Sequence, residues 1–216
     1  MNRIRILIAD DHAIVRRGLR TLIESQDGWE VCAEASNGRD AVERATDLKP
    51  DVAILDIGMP ELNGLEAARH ILKAIPYTEV LILTMHQSEE VVAEVLKAGA
   101  RSYVLKSDAD EHLVAAIGTL LKHKPFLSSH ATDIILSDYL NRHGEMTSEP
   151  RSRITPRERE IIQLLAEGKS NKEVARVLDI STRTVETHRA HIMHKLNLAS
   201  FGDLIRYAIR NRIVQS

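Results

Sequence analysis

The chain has few aromatic residues and almost no cysteine. Only 3% of its 216 residues are Phe, Trp or Tyr, and Cys32 is its one cysteine. A core built from this sequence must be mainly aliphatic, and no disulfide can form within one chain. Cys32 lies in the apolar stretch 29–35, where we expect a buried, small apolar side chain rather than a reactive thiol.

Long hydrophobic runs are also absent. No apolar run approaches the roughly 20 residues that a helix needs to span a bilayer. Asp10 and Asp11 interrupt the first apolar run before a signal-like stretch is complete. With 44% hydrophobic residues, the chain can still bury a sizeable core in one or two domains. The sequence therefore predicts a soluble, cytoplasmic protein without a membrane partner.

The net charge of -2 hides an asymmetry along the chain. Residues 151–216 contain 13 Lys and Arg against 7 Asp and Glu, or +6, whereas residues 1–150 contain 16 against 24, or -8. The C-terminal third is therefore the part suited to a polyanion. This surplus is weak support by itself, because many solvated helical faces carry a similar one.

Charged and polar side chains follow four short apolar runs in the first half of the chain. In order, the runs are 4–9, 52–55, 80–83 and 103–105. Their β-branched and leucine-rich composition is typical of strands buried on both faces of a parallel sheet. Asp10 and Asp11 close the first run, Asp56 the second, Thr84 the third and Lys106 the fourth. Because open α/β sheets gather the carboxyl ends of their strands at one edge, we expect these residues to lie together.

Three carboxylates at one edge repel one another unless a cation or a bound anion completes the set. Hard oxygen ligands select Mg²⁺, which usually binds one or two carboxylates and a phosphate oxygen. We therefore predict phosphoryl chemistry, with Asp56 as the nucleophile and Asp10 and Asp11 as metal ligands. Lys106 would neutralise phosphoryl oxygens, and Thr84 would donate a hydrogen bond. Each residue taken alone has an ordinary alternative, such as a helix N-cap or a solvated lysine.

With Met59-Pro60, Asn63-Gly64 and Tyr103 added, this pattern resembles the receiver domain of two-component response regulators. The resemblance implies a flavodoxin-like, doubly wound α/β fold with a five-stranded parallel sheet over residues 1–122. It also implies that Asp56 accepts a phosphoryl group from a sensor histidine kinase. The implied Mg²⁺ ligands are Asp10, Asp11, Asp56 and the carbonyl of Gly58.

The resemblance further implies that Thr84 and Tyr103 form a coupled switch, in which the hydroxyl moves to the phosphate and the ring turns inward. In the alternative interpretation, Thr84 is only a turn residue and Tyr103 is only a half-buried side chain. A magnesium-dependent phosphatase is a rival from another class, since it too could use an aspartyl nucleophile. Such enzymes usually carry a second acid two residues further on, where this chain has Gly58. We therefore expect no enzymatic activity beyond the chain's own Mg²⁺-dependent phosphorylation and dephosphorylation.

Residues 123–150 break the alternation of strands and helices, and we interpret them as a linker with one short helix at 130–142. Four helix signatures then follow within residues 151–216. The first begins at Thr155-Pro156 with Glu158, which is typical of a capping box with proline at the first helical position. The next begin at Ser170, Ser181 and about Ser200. A short helix, a tight turn and a longer polar-faced helix predict a helix-turn-helix, although a small protein-binding bundle is an alternative.

The segments 155–158, 168–175 and 181–196 resemble the LuxR-type DNA-binding domain. Together with the receiver, they identify the chain as similar to the NarL/FixJ family of response regulators, with a small all-α domain of four helices at residues 151–216. The resemblance implies that the helix at 181–196 enters the DNA major groove. It implies that the following helix pairs two subunits through Leu204, Tyr207 and Ala208.

Base contact is expected from the outward face of the helix at 181–196. Glu186 suits cytosine, Thr187 offers a hydroxyl or a methyl group, and Ala190 suits a thymine methyl. Arg183 and Lys195 are better suited to phosphates. The complete predicted DNA-binding set is Thr182, Arg183, Glu186, Thr187, Ala190, His191 and Lys195. A metal site at His188, His191 and His194 is not expected, because their spacing spreads them around the helix.

These observations predict a phosphorylation-controlled transcription factor that binds double-stranded promoter DNA and forms a homodimer when phosphorylated. RNA polymerase is a further candidate partner. The alternative is a constitutive DNA-binding regulator whose receiver is a scaffold that does not depend on phosphorylation. The intact acidic residues argue against that alternative without excluding it.

Overall fold

The computed structural model describes residues 3–85, 89–127 and 154–214. The chain divides into two compact units, a larger N-terminal one and a smaller C-terminal one. The predicted linker helix at 130–142 lies outside the described residues, so the linker bounds stay a prediction. Within the described ranges, no helix has both the length and the apolar character needed to cross a membrane.

The N-terminal unit is built on a parallel sheet of five strands in the order β2-β1-β3-β4-β5. The strands are β1 (Ile4–Ala9), β2 (Trp29–Ala35), β3 (Val52–Asp56), β4 (Glu79–Thr84) and β5 (Ser102–Leu105). Each of the four predicted runs is a strand, and no end differs by more than one residue. This order, with β1 between β2 and β3, is that of a doubly wound, flavodoxin-like sheet, the fold class that was predicted, and it places a crevice at the carboxyl ends of β1 and β3.

Helices cover both faces of this sheet. They are α1 (Ala13–Glu24), α2 (Gly38–Leu48), α3 (Gly64–Ala74), α4 (Glu89–Lys97) and α5 (Ala109–Leu120). On one face, Ile8 and Ile54 of the strands form an aliphatic cluster with Ile23 of α1 and Ile117 of α5. Leu55, which points to the opposite face, is equally buried. Burying both faces explains why the strands contain so few polar residues.

The C-terminal unit is a four-helix domain, as predicted. Its helices are α6 (Pro156–Ala166), α7 (Asn171–Val177), α8 (Thr182–Lys195) and α9 (Phe201–Arg210). Each begins directly after a hydroxyl N-cap, namely Thr155, Ser170, Ser181 and Ser200. Gly168, at φ +85°, supplies the left-handed conformation that ends the turn after α6. Ile161, Val185, Ile192 and Leu204 pack together in one aliphatic core.

Candidate functional site

An acidic pocket lies at the carboxyl ends of β1, β3 and β5. Asp10 follows β1, Asp56 is the last residue of β3, and Lys106 follows β5. Asp10 and Asp56 are almost fully buried, and the Lys106 side chain is 9% exposed. The Lys106 Nζ lies 2.7 Å from Asp10 Oδ2 and 3.0 Å from Asp56 Oδ1. The lysine therefore bridges the two buried carboxylates.

Asp11 and His12 form the rim of this pocket. His12 Nδ1 lies 2.7 Å from Asp11 Oδ1 and 3.2 Å from Asp10 Oδ1. One ligand atom from each of Asp10, Asp11, His12 and Asp56 lies within 4.8 Å of the others, a spacing at which they could hold a metal ion. The sequence prediction included the three carboxylates but missed His12, although it directly follows the acidic pair.

The charges in the pocket are unevenly matched. Burial raises the pKa of Asp56, and Asp10 and Asp11 add to this effect, while Lys106 opposes it. Burial lowers the pKa of Lys106, but the hydrogen bonds and charges of Asp10 and Asp56 outweigh this and raise it overall. Asp56 Oδ2 is buried and has no hydrogen-bond partner within the described part of the chain. This orphaned oxygen and the excess of carboxylates fit a divalent cation, and the oxygen donors suit Mg²⁺.

The predicted switch residues lie beside the pocket. Thr84 ends β4 and is paired in register with Leu105, the residue before Lys106. Tyr103 is 2% exposed, so its ring is turned inward and is not the half-buried tyrosine of the alternative interpretation. Burial raises the pKa of its hydroxyl, as does the charge of Asp108. Gly58 lies in the turn that follows β3.

Gly64 fixes the backbone behind Asp56. It is the first residue of α3, and its N–H donates a hydrogen bond to the carbonyl of Ile57 at 3.0 Å. A Cβ at this position would collide with the carbonyl oxygen of Asp56 and lie 2.8 Å from its carbonyl carbon. Only glycine therefore allows α3 to begin this close to the end of β3.

The helix-turn-helix consists of α7 and α8. Val185 and Ile192 are buried and anchor α8 in the core. Five members of the predicted DNA-binding set are exposed, namely Arg183, Glu186, Thr187, Ala190 and His191. Thr182 is partly buried. The longer helix thus presents one continuous polar face, as a helix that enters a major groove must.

Two family models match the chain. The model described as the response regulator receiver domain matches residues 6–118, and the model described as bacterial regulatory proteins, luxR family, matches residues 152–208. The chain belongs to the NarL/FixJ family of response regulators. The matches cover the acidic pocket and the helix-turn-helix, and they confirm the resemblance predicted from the sequence.

Individual relatives agree with this assignment. The oxygen regulatory protein NreC of Staphylococcus carnosus (strain TM300) is 38% identical over 214 residues, which cover 97% of this chain and 99% of the relative. A LuxR-family response regulator from Aurantimonas sp. SI85-9A1 is 35% identical with a TM-score of 0.60, and the match covers 64% of this chain and 99% of that chain. The response regulator RcsB in a complex with DNA is 26% identical with a TM-score of 0.58, covering 95% and 98%.

This response regulator is therefore a phosphorylation-regulated, DNA-binding transcription factor of a two-component system. Its partners are a histidine kinase and DNA. The function predicted from the sequence is confirmed at this level, whereas the roles of single residues stay predictions.

Lys195 of the response regulator does not present a free charge to solvent. Its Nζ lies 2.8 Å from Glu158 Oε2 on α6, and His191 Nδ1 lies 3.3 Å from Glu158 Oε1. The same glutamate accepts a hydrogen bond from the N–H of Thr155 at 2.8 Å. Burial opposes ionisation of Glu158, but the hydrogen bonds from Lys195 and Thr155 lower its pKa to about 2. In this structure Lys195 is therefore engaged within its own domain, and its contact with a DNA phosphate stays a prediction.

A second contact on α8 was not predicted from the sequence. The Arg189 guanidinium lies 5.1 Å from the centroid of the Phe201 ring at the start of α9. This cation-π contact is worth about 0.5–1 kcal/mol at a partly exposed site. It joins α8 to α9 and holds Arg189 beside Glu186 and Thr182, which line the same surface cavity.

The predicted dimer residues require a correction. Leu204 and Ala208 are fully buried in the core of their own domain, and Tyr207 packs against that core. Leu204 and Ala208 therefore cannot meet a second subunit. The exposed apolar side chains of α9 are Phe201 and Ile209, 37% and 42% exposed, with Ile205 partly exposed between them. Their spacing of four residues places these three on one face of the helix.

Proposed function

We propose that transfer of a phosphoryl group from a sensor histidine kinase to Asp56 controls how tightly this cytoplasmic response regulator binds promoter DNA. The observation that carries the proposal is the position of Lys106, whose Nζ bridges Asp10 Oδ2 and Asp56 Oδ1 in an almost fully buried pocket. One ammonium group only partly neutralises two buried carboxylates. Such a pocket favours a reaction that changes the charge on one of the carboxylates.

In the transfer, an oxygen of Asp56 attacks the phosphorus atom, the bond from phosphorus to the kinase's leaving group breaks, and an acyl phosphate forms on Asp56. Mg²⁺, held by Asp10, Asp11, Asp56 and the Gly58 carbonyl, would supply the positive charge that the transferred oxygens require. Lys106 lies close enough to Asp56 to neutralise the phosphoryl oxygens, and Thr84 would donate a hydrogen bond to them. The chain would catalyse this transfer to itself and the later hydrolysis of the acyl phosphate, in which water attacks the phosphorus atom and Asp56 and inorganic phosphate are released.

The new charge on Asp56 draws Lys106 and Thr84 towards the phosphoryl group, and the ring of Tyr103, which already lies inward, remains behind Thr84. This shifts an existing equilibrium between two receiver conformations. The phosphorylated form pairs two subunits through the apolar face of α9, formed by Phe201, Ile205 and Ile209. Pairing places two copies of α8 on successive half-sites of one DNA duplex.

The test is an Asp56→Asn variant, compared with wild type for labelling by acetyl phosphate and for retention of genomic DNA fragments with and without the donor. We expect no label on Asp56→Asn and no donor-dependent DNA enrichment. Asp47→Asn, which removes an exposed aspartate on α2, is the matched control and should behave as wild type. Equal labelling of Asp56→Asn would overturn the proposal, and equal enrichment by wild type in both conditions would favour a constitutive regulator.

A further inference from the structure

The acidic pocket contains an imidazole, that of His12, which the proposed magnesium chemistry does not use. We infer that His12 is an additional ligand of the metal ion in this pocket, and that it makes the site bind imidazole-preferring divalent transition ions such as Co²⁺ more tightly than Mg²⁺. The inference rests on the acidic pocket of the proposed function. It adds a residue and a class of ion to that site.

The spacing of the donor atoms supports this role. His12 Nδ1 lies 2.7 Å from Asp11 Oδ1 and 3.2 Å from Asp10 Oδ1. Neighbouring ligands of one octahedral ion lie about 3 Å apart when each metal bond is about 2.1 Å long. The two observed distances lie on either side of this value. The three donor atoms therefore already have the spacing of adjacent positions around one ion.

The imidazole of His12 has no structural task elsewhere in the described residues that would hold it away from a metal. His12 is the N-cap of α1, yet its side chain makes no capping hydrogen bond, unlike those of Asn37 and Asn63 before α2 and α3. Its backbone N–H donates to Asp10 Oδ1 at 2.8 Å, which fixes the residue beside the pocket. The ring is 59% exposed and therefore accessible to an ion that arrives with water ligands.

The other donors in the pocket explain why a nitrogen ligand changes the preferred ion. Asp10, Asp11 and Asp56 offer only carboxylate oxygens, and Asp56 Oδ2 is a buried oxygen with no hydrogen-bond partner in the described ranges. Oxygen donors alone suit Mg²⁺, which keeps several waters and gains little from an imidazole. Co²⁺, Ni²⁺ and Zn²⁺ bind imidazole well, so one histidine beside three carboxylates shifts the preference towards them.

The ordinary alternative is an ion pair in which a protonated His12 ring donates to the two carboxylates. Both arrangements place the nitrogen beside the same oxygens, and they differ in what removal of the ring does to metal affinity. A ring that only pairs with carboxylates competes with every cation, so its removal would strengthen binding of Co²⁺ and Mg²⁺ alike. A ring that ligates the ion would weaken Co²⁺ binding selectively when removed.

The experiment is calorimetric titration of the full-length chain with CoCl₂ and, separately, with MgCl₂. His12→Ala should weaken Co²⁺ binding about tenfold and change Mg²⁺ binding less than about twofold. His12→Asn keeps a favourable N-cap for α1 and should lose Co²⁺ affinity to the same extent, which separates ligation from helix stability. The chain has ten histidines, so His112→Ala, which removes an exposed ring on α5, is the control and should leave the pocket affinities unchanged.

The outcomes separate this inference from the function on which it rests. Unchanged or stronger Co²⁺ binding in His12→Ala, with normal Mg²⁺ binding, would overturn the role of His12 and leave the phosphoacceptor pocket intact. Asp11→Asn should weaken both ions, because it removes a shared ligand. If the wild-type chain bound neither ion, the metal pocket itself would be overturned.

Discussion

The two units of this response regulator each bury a small cluster of charges, and the clusters are balanced in opposite ways. In the receiver, Asp10 and Asp56 share the single ammonium group of Lys106. In the DNA-binding unit, the carboxylate of Glu158 lies beside both Lys195 and His191. The pKa of Asp56 is raised by burial and neighbouring carboxylates, whereas hydrogen bonds to Glu158 overcome its burial and lower its pKa.

This difference separates a reactive cluster from a structural one. A buried carboxylate that accepts hydrogen bonds from an ammonium group and from backbone N–H stabilises the fold and has little tendency to react. A buried carboxylate with too few positive partners favours any state that brings a cation or removes a negative charge. The receiver cluster therefore has the charge balance that suits a divalent cation, while the Glu158 cluster joins α8 to α6.

Lys106→Met should have the largest effect on stability. It leaves two buried carboxylates without a cation, and we expect the metal-free receiver to lose about 3 kcal/mol of unfolding free energy. Trp29 is the only tryptophan and lies in β2, so its fluorescence reports urea unfolding of this unit. Lys97→Met, which removes an exposed pair with Glu94, should cost less than about 0.5 kcal/mol. Equal losses in the two variants would contradict the bridging role of Lys106.

Gly64→Ala should disturb the pocket without changing any charge. The added Cβ would collide with the backbone carbonyl of Asp56, which cannot move aside without shifting the end of β3. We expect a loss of about 2 kcal/mol by Trp29 fluorescence, together with slower labelling by acetyl phosphate. Gly118→Ala in α5 is the control, since its Cβ would meet no atom within 4 Å. It should be neutral or raise stability by about 0.5 kcal/mol, and a loss like that of Gly64→Ala would refute the steric explanation.

The ends of the strands and the starts of the helices could be predicted because interactions between residues close in sequence determine them. An apolar run followed by Asp10 or Asp56 fixes a strand end, and Thr155 with Glu158 fixes a helix start. The pairing of Glu158 with Lys195 could not be predicted, because the partners are 37 residues apart and the capping box already explains the glutamate. Their proximity depends on how α6 and α8 pack.

Two of the three predicted dimer residues, Leu204 and Ala208, were assigned wrongly for a related reason. Helix α9 has two apolar stripes, one with Leu204 and Ala208 and one with Phe201, Ile205 and Ile209. Spacing alone shows that each stripe lies on one face of the helix. It does not show which face meets the domain core. That choice depends on where α6 and α8 lie, since their side chains form the core that receives Leu204.

Lys195→Met should lower the stability of the DNA-binding unit only. We expect a loss of about 2 kcal/mol, less than for Lys106→Met, because His191 and the Thr155 N–H still contact Glu158. Hydrogen exchange of amides in α6 and α8 measures this unit separately from Trp29. Lys172→Met, on the exposed side of α7, should leave the exchange unchanged. If Lys195→Met instead lowered the salt dependence of DNA binding and left amide protection in α6 and α8 unchanged, Lys195 would be a phosphate contact.

The smallest expected effect is the pH dependence of the contribution that Glu158 makes to the free energy of unfolding. It is also the most direct test of the charge balance around Glu158. Its pKa is about 2 in the folded protein against 4.5 as a reference, so it stabilises the fold fully above pH 4.5 and loses that contribution as the pH falls towards 2. Between pH 6 and pH 3.5 the loss should be about 1 kcal/mol. Amide exchange in α6, compared between wild type and Glu158→Gln, isolates this contribution, because glutamine can still serve the capping box but does not titrate. If the difference between the two proteins stayed constant over this range, the charge of Glu158 would not be what holds α8 against α6.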